Sequence, residues 1–200
     1  MKLLRIIEES IDERHIAEAA RTMADGGIVV YPTDTIYAIG CDALNNQAIE
    51  RICSIKGIKS AKSNLSIICH NLSEVAHYAK VSNEQYRMMK ANLPGPFTFI
   101  LPALSRLPKA FKGRRTVGIR IPQNAIALAI EEALGHPILT TSVEADDSDY
   151  MCEPELMAER YAGWADMVID GGRGGTEPST IVDCTGSEIE ITREGKGTLA

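Results

Sequence analysis

The sequence predicts an α/β (α+β) fold, a mixed sheet with flanking helices. Short runs rich in Val, Ile and aromatic residues alternate with longer stretches of helical period. The alternation is irregular, and two hairpin-like pairs break a simple strand–helix–strand rhythm, so parallel and antiparallel neighbours are both expected. No repeat, heptad or linker divides the 200 residues, which predicts one domain over 1–200.

Lys2–Ile7 reads as the first strand. Ser10 and Glu13 have capping-box spacing ahead of a helix from about Ile11 to Ala24. Ile16, Ala19, Ala20 and Met23 form its inner face. Ile28–Tyr31 is a buried strand, and Pro32 stops ladder donation. Thr33, Asp34, Thr35 and Tyr37 follow within five positions. A strand ending in hydroxyls and a carboxylate is either the rim of a site or a turn that caps its own backbone, and the local residues leave both open. Ile36–Ile39 resumes as a strand. Asn45 or Asn46 caps a helix through Ile55, with Ile49, Ile52 and Cys53 inward. Lys56, Lys59 and Lys62 then lie three apart among Gly, Ser and Asn residues. That composition predicts a loop, either closing over an anion or simply solvated. Leu65–Cys69 is a buried strand. Ser82 and Gln85 repeat the capping-box spacing for a helix ending near Asn92, and Leu93–Pro96 is a rigid turn.

Phe97–Leu101 is a strand with a polar interruption at Thr98. Leu107–Arg115 is a basic loop. Thr116–Ile121 is a strand stopped by Pro122. Arg120 at its end is held by the strand and suits bidentate contact with an anion. Asn124 caps a helix carrying Ile126, Ala129, Ile130 and Ala133 on one face, and Gly135 ends it. Pro137–Leu139 begins a strand that runs into Thr140, Thr141 and Ser142, a second strand ending in hydroxyls. Glu144, Asp146, Asp147 and Asp149 form an acidic loop. It lacks the glycine and terminal glutamate of a calcium loop, so a solvated turn is the simpler reading and Mg²⁺ the alternative. Glu153–Tyr161 is helical and Met167–Ile169 a strand. Gly171–Gly175 is a flexible turn without the GK[ST] of a P-loop. Ser179–Asp183 and Ile189–Arg193 read as the last strands, a possible hairpin.

Composition narrows the function classes. The 44% apolar and 24% charged fractions are ordinary for a soluble globular chain. No apolar run approaches the roughly 20 residues of a membrane span, and no signal-peptide pattern opens the chain, so the expected location is cytoplasmic. Five cysteines form no CxxC pair and read as reduced core thiols. Four scattered histidines give no zinc spacing, so no metal site is expected. The absence of GxGxxG and GxSxG argues against a Rossmann dinucleotide site and a hydrolase elbow. The net charge of −6 hides a segregation: Arg51–Arg120 holds thirteen Lys and Arg against two acids, and no Lys or Arg lies between Arg120 and Arg160. Such a basic segment is either a solvated face or a surface for phosphates or a polynucleotide.

Seven short elements occur in a set order. Pro32–Tyr37 matches PTDTxY, Lys56-Gly57 a substrate-loop lysine, and Pro94–Thr98 PGPxT. Arg120–Pro122 matches RxP, Thr141-Ser142 the start of TSxN, Pro178–Asp183 PSTIVD, and Arg193–Gly195 RxG. The chain thereby resembles the YrdC/YciO family over most of its length. The resemblance implies an open, twisted mixed sheet with a basic concave cavity. It also implies threonylcarbamoyl-AMP chemistry, in which ATP, L-threonine and bicarbonate give the adenylate and pyrophosphate for tRNA threonylcarbamoyladenosine modification. ATP or AMP would be substrate or ligand, with Mg²⁺ bound through the nucleotide. By the same resemblance Thr35, Tyr37 and Arg120 would hold the amino acid or its carbamate. Lys56, Ser142, Ser179 and Arg193 would meet phosphates or ribose, and Thr98, Thr141 and Thr180 would line the cavity. Two departures fit the YciO branch. KxR is reduced to Lys56-Gly57-Ile58, and SxN becomes Ser142-Val143-Glu144. Glu144 is then a candidate general base for hydrolysis of the adenylate, beside Lys56 and Arg120 as catalytic candidates. The alternative is a non-catalytic module that binds tRNA or double-stranded RNA through Lys59, Lys62, Lys109, Lys112, Arg114 and Arg115.

Overall fold

The computed structural model describes residues 1–57, 65–105, 107, 115–143 and 149–200. In chain order the elements are β1 (Lys2–Arg5), α1 (Glu13–Ala24), β2 (Val29–Tyr31), β3 (Ala38–Asp42), α2 (Asn46–Ile55), β4 (Ser66–Ile68), α3 (Leu72–Tyr78) and α4 (Asn83–Asn92). They continue with β5 (Phe97–Pro102), β6 (Thr116–Arg120), α5 (Ala125–Leu134), β7 (Ile138–Ser142), α6 (Asp149–Cys152), α7 (Pro154–Arg160), β8 (Met167–Asp170), β9 (Thr180–Asp183) and β10 (Glu190–Arg193).

The described strands join one mixed sheet of ten, in the order β1-β8-β2-β3-β7-β4-β6-β5-β9-β10. Five neighbouring pairs are antiparallel and four parallel, and the closing β9–β10 pair is an antiparallel hairpin with an irregular register. Side chains in register across a sheet share a face, so the pairing sorts every strand residue. Val30 of β2, Ile39 of β3, Leu139 of β7, Ile67 of β4, Ile119 of β6, Phe99 of β5 and Val182 of β9 form one face. All are buried, and they pack with Ile49 and Ile52 of α2, Val75 of α3, Met89 of α4 and Met157 of α7.

The opposite face is different. At one end Val29, Tyr31, Ala38, Ile138, Ile68, Met167 and Ile169 pack under Ile16, Ala19 and Met23 of α1 and Ile126, Ala127 and Ile130 of α5. This double cover explains why β2 is apolar at every position instead of alternating. At the other end, over β4, β6, β5 and β9, the same face holds Ser66, Thr98, Thr116, Gly118 and Arg120, and no described helix covers it.

Several local expectations change. The first helix is capped by Asp12, not Ser10: its carboxylate accepts from the Arg14 amide at 2.9 Å and grips the Arg14 guanidinium at 2.7 Å. That contact fixes the start two residues later. The strand placed at Ile36–Ile39 runs Ala38–Asp42, because Thr33–Tyr37 is tied into its own turn. Asn45 caps α2, and both halves of the Ser82/Gln85 capping box form. Gly135 ends α5 at φ 79°, a left-handed conformation that favours glycine. Helix α3, capped by Asn71, and the single turn α6 had no counterpart in the sequence expectations.

Candidate functional site

The uncovered half-face is the floor of a cavity of about 580 Å³. Its construction follows from the pleat. In Thr116-Val117-Gly118-Ile119-Arg120, Val117 and Ile119 enter the core, while Thr116, Gly118 and Arg120 face the cavity. The polar interruption at Thr98 has the same origin, since Phe97 and Phe99 are core and Thr98 and Ile100 look the other way. Gly118 keeps the floor low. A Cβ there would lie 2.5 Å from Ser66 Oγ and 3.4 Å from Thr98 Cγ2.

Arg120 is the centre of one wall. It is only 5% exposed. Its Nη2 donates to Asp34 Oδ1 at 3.1 Å and to Thr35 Oγ1 at 3.0 Å. Its Nε is buried with no partner among the described residues. Burial lowers the proton affinity of the guanidinium, and Asp34 works against that shift. An arginine stays charged through such a change. Asp34 is fixed in turn, because its Oδ2 accepts from the Gln123 amide at 3.0 Å. The Thr33 hydroxyl meets Thr35 Oγ1 at 3.0 Å and donates to the Ile36 carbonyl at 2.8 Å. The Pro32–Tyr37 loop therefore combines both sequence readings: it caps its own backbone and borders the site.

The second wall carries Ser179 and Arg193. Ser179 Oγ lies 2.8 Å from Thr98 Oγ1. Arg193 donates through Nε and Nη2 to the Ser179 carbonyl at 3.1 and 2.7 Å, and through Nη2 to Ser179 Oγ at 3.1 Å. These Ser179 partners are neutral, and its proton affinity is lowered first by burial and then by the charge of Arg120. Two arginines near enough to repel, of which only Arg120 is paired with a carboxylate among the described residues, give a local excess of positive charge. At the third side Thr140, Thr141 and Ser142 line the cavity. Lys56 Nζ donates to the Ser142 carbonyl at 3.0 Å, and Thr140 Oγ1 lies 2.7 Å from the hydroxyl of buried Tyr31.

Thr35, Lys56, Thr98, Arg120, Thr141, Ser142, Ser179 and Arg193 thus converge on one cavity or its immediate supports. Tyr37 and Thr180 do not line it. Tyr37 is fully buried on the other face, where its hydroxyl donates to the Gly172 carbonyl at 2.7 Å and accepts from the Gly171 amide at 3.0 Å. The glycine run is pinned there: a Cβ on Gly174 would lie 2.5 Å from the Tyr37 ring. Thr180 Oγ1 donates to the Gly197 carbonyl at 2.6 Å and accepts from the Gly195 and Gly197 amides, both at 3.1 Å. Arg115 is exposed and is not among the residues lining the cavity. Glu144, Lys59, Lys62, Lys109, Lys112 and Arg114 lie outside the described residues, as does most of the acidic loop.

Sequence reasoning missed Ser66, Thr116, Gly118, Thr192 and Lys196. The first three were detectable from strand alternation, since each stands opposite a core residue. Lys196 was not, because its contact, Nζ to the Asp34 carbonyl at 2.6 Å, spans 162 positions. Among the described residues, no group of three or more His, Cys, Asp and Glu is placed to hold a metal ion. No described helix is long and apolar enough to cross a membrane.

Comparison with known proteins places this architecture. The Sua5_yciO_yrdC family model, described as Telomere recombination, matches residues 21–195. The chain is 39% identical to YciO of Escherichia coli over 188 residues, covering 92% of this chain and 91% of YciO. It is 33% identical to a threonylcarbamoyl-AMP synthase of Pyrococcus abyssi over 98% of this chain but 58% of that protein. The crystal structure of E. coli YciO superposes with a TM-score of 0.91 at 37% identity, covering 99% and 98% of the two chains. P. abyssi Sua5 complexed with L-threonine superposes with a TM-score of 0.85 at 30% identity, covering 98% of this chain and 58% of that one.

Proposed function

This chain belongs to the Sua5_yciO_yrdC family, and from that premise we propose that its cavity binds L-threonine and a nucleotide and acts on threonylcarbamoyl-AMP. The observation that carries the proposal is Arg120, a buried guanidinium with a free Nε beside the Thr35 hydroxyl, at the wall of a hydroxyl-lined cavity. Support also comes from the relative solved with L-threonine.

In the synthetic direction the threonine amine and bicarbonate form a carbamate with loss of water. A carbamate oxygen attacks the α-phosphorus of ATP. The bond from that phosphorus to the bridging oxygen breaks, and pyrophosphate leaves with the electron pair. Charge and orientation are what a protein contributes to such a step. Arg120 and Thr35 hold the carboxylate or carbamate. Arg193, Ser179, Lys56 and Ser142 face the phosphates and ribose, and Thr98 and Thr141 line the space between. Tyr37 and Thr180 act on the walls, through Gly171–Gly172 and Gly195–Gly197. Mg²⁺ enters as part of the ATP substrate. Glu144 is the candidate base for water attack in the hydrolytic direction.

The experiment follows AMP and pyrophosphate in two incubations of the pure protein. One contains ATP, L-threonine and bicarbonate; the other contains threonylcarbamoyl-AMP. Pyrophosphate released only with all three substrates supports synthesis, and AMP release from the adenylate supports hydrolysis. Neither product, together with no threonine binding by calorimetry, rejects the proposal. The Arg51–Arg120 charge excess favours a second reading, RNA binding without turnover. It predicts an affinity for tRNA that falls steeply with salt, and a flat salt response rejects it.

A further inference from the structure

We infer that Lys196 is a positioning residue: its ammonium ties the C-terminal tail to the loop carrying Asp34 and Thr35, and so sets the aim of Arg120 into the cavity. The inference rests on the amino-acid-binding reading above and extends it to a residue outside every motif quoted.

The base of this side chain is anchored. The Lys196 amide donates to the Pro178 carbonyl at 2.9 Å. The glycines on either side both donate to Thr180 Oγ1. Neither glycine has room for a side chain, since a Cβ on Gly195 would run into the Pro178 carbonyl and one on Gly197 would lie 2.6 Å from the Phe97 ring. The tail end is held too, with the Ala200 amide donating to Asn92 Oδ1 at 2.9 Å. Lys196 therefore projects from a fixed point next to Ser179, on the second wall.

Its far end meets the first wall, at the Asp34 carbonyl. In the sheet β3 and β9 are five steps apart, about 24 Å if the sheet were flat. A lysine stem spans only a fraction of that. The twist of the sheet and the reach of the Pro32–Tyr37 loop close the rest, and Lys196 joins the two segments. Its target is well chosen mechanically. Asp34 and Thr35 are the two residues that hold Arg120 Nη2. A shift of the Asp34 backbone moves both acceptors and re-aims the guanidinium. Other restraints on this segment are the Thr33 hydroxyl, which accepts from the Thr35 amide, the Gln123 amide on Asp34 Oδ2 and the Gly175 amide on the Thr35 carbonyl, and none of them is a charged group on the Asp34 carbonyl.

The test compares wild type, Lys196→Met and Lys196→Arg. Amide hydrogen exchange is read first, without ligand. In Lys196→Met the amides from Thr33 to Tyr37 should exchange on the order of tenfold faster, with the α1 and α5 amides unchanged, and Lys196→Arg should restore protection. Calorimetry then follows L-threonine and AMP separately. Threonine affinity should fall on the order of tenfold, the scale of a lost hydrogen bond to a charged group, while AMP affinity changes less than about twofold on the same scale. Unchanged exchange in Lys196→Met overturns the inference whatever the ligands do. Faster exchange with equal losses for both ligands, or with none, also overturns it and leaves Lys196 as a local brace. If wild type binds neither ligand, the proposed function fails, and with it the role of Lys196 in aiming Arg120. The exchange data then still report whether the bridge between the walls exists.

Discussion

One face of the sheet has two halves built from the same pleat, and they do opposite things. Over β1, β8, β2 and β3 the upward residues are Leu4, Ile169, Val29, Tyr31 and Ala38, sealed under α1 and α5. Over β4, β6, β5 and β9 the same face turns Ser66, Thr116, Gly118, Arg120, Thr98, Ile100 and Ile181 to a cavity, with Ser179 just before β9. Beneath both runs the same continuous core on the other face. The lower layer supports the open half from below, so this half does not need an apolar cover of its own. It is free to carry hydroxyls, a glycine and a guanidinium.

Three comparisons test this division. The largest effect is expected where the halves exchange character, at Arg120, a buried cation on the open side. Arg120→Ala leaves the Asp34 carboxylate, whose side chain is 8% exposed, without its charge partner. Breaking such a pair costs about 3–5 kcal/mol. Denaturant unfolding should show that loss, and Asp34→Asn added to it should recover part. If the double variant is no more stable than the single one, Asp34 does not depend on Arg120.

The next contrast sets one half directly against the other. Ile130→Ala removes a fully buried side chain from α5 and should cost about 2–5 kcal/mol. Thr116→Val on the open half should stay within about 0.5 kcal/mol, as surface changes do. Comparable losses at the two positions would erase the distinction.

A pH-dependent effect belongs to the cover. Glu131 on α5 is almost fully buried, and burial first, then the Glu74 hydrogen bond and charge, push its carboxyl up to about 9. His70 Nδ1 stands 3.6 Å from it. In the unfolded chain this carboxyl ionises near its ordinary 4.5. Folding therefore takes up a proton between those values, and stability falls as pH rises from about 4.5 toward 9. Glu131→Gln should gain on wild type steadily between pH 5 and pH 9 in urea titrations. A constant difference would mean that Glu131 ionises as easily folded as unfolded.

Much of this was legible in residue order. Asn45, Asn124, Ser82 with Gln85, and Gly135 each act where local chemistry puts them, because caps are satisfied within one turn. Seven motifs in order identified the family; Thr98, Arg120, Thr141, Ser142, Ser179 and Arg193 line the cavity, and Thr35 and Lys56 bond to residues that do. Two others, Tyr37 and Thr180, carry hydroxyls that bond to glycine backbone instead. A motif marks a position and does not say which way its side chain turns. The charge count was only partly informative. Lys56 and Arg120 come from the basic middle segment, but Arg193 lines the same cavity, and Lys196 reaches the loop beside it, from the acidic C-terminal third.

What residue order determined by itself was periodic and local: strand alternation, helix caps, glycine stops and the family's ordered motifs, all set by neighbours a few positions apart. Tertiary structure alone decided which half of a face α1 and α5 would cover, and so which alternating polar residues would become a cavity. It also decided that a lysine near the end of the chain would close on Asp34. Those outcomes depend on contacts between residues far apart in sequence, whose energies arise only once the sheet has twisted and the helices have docked.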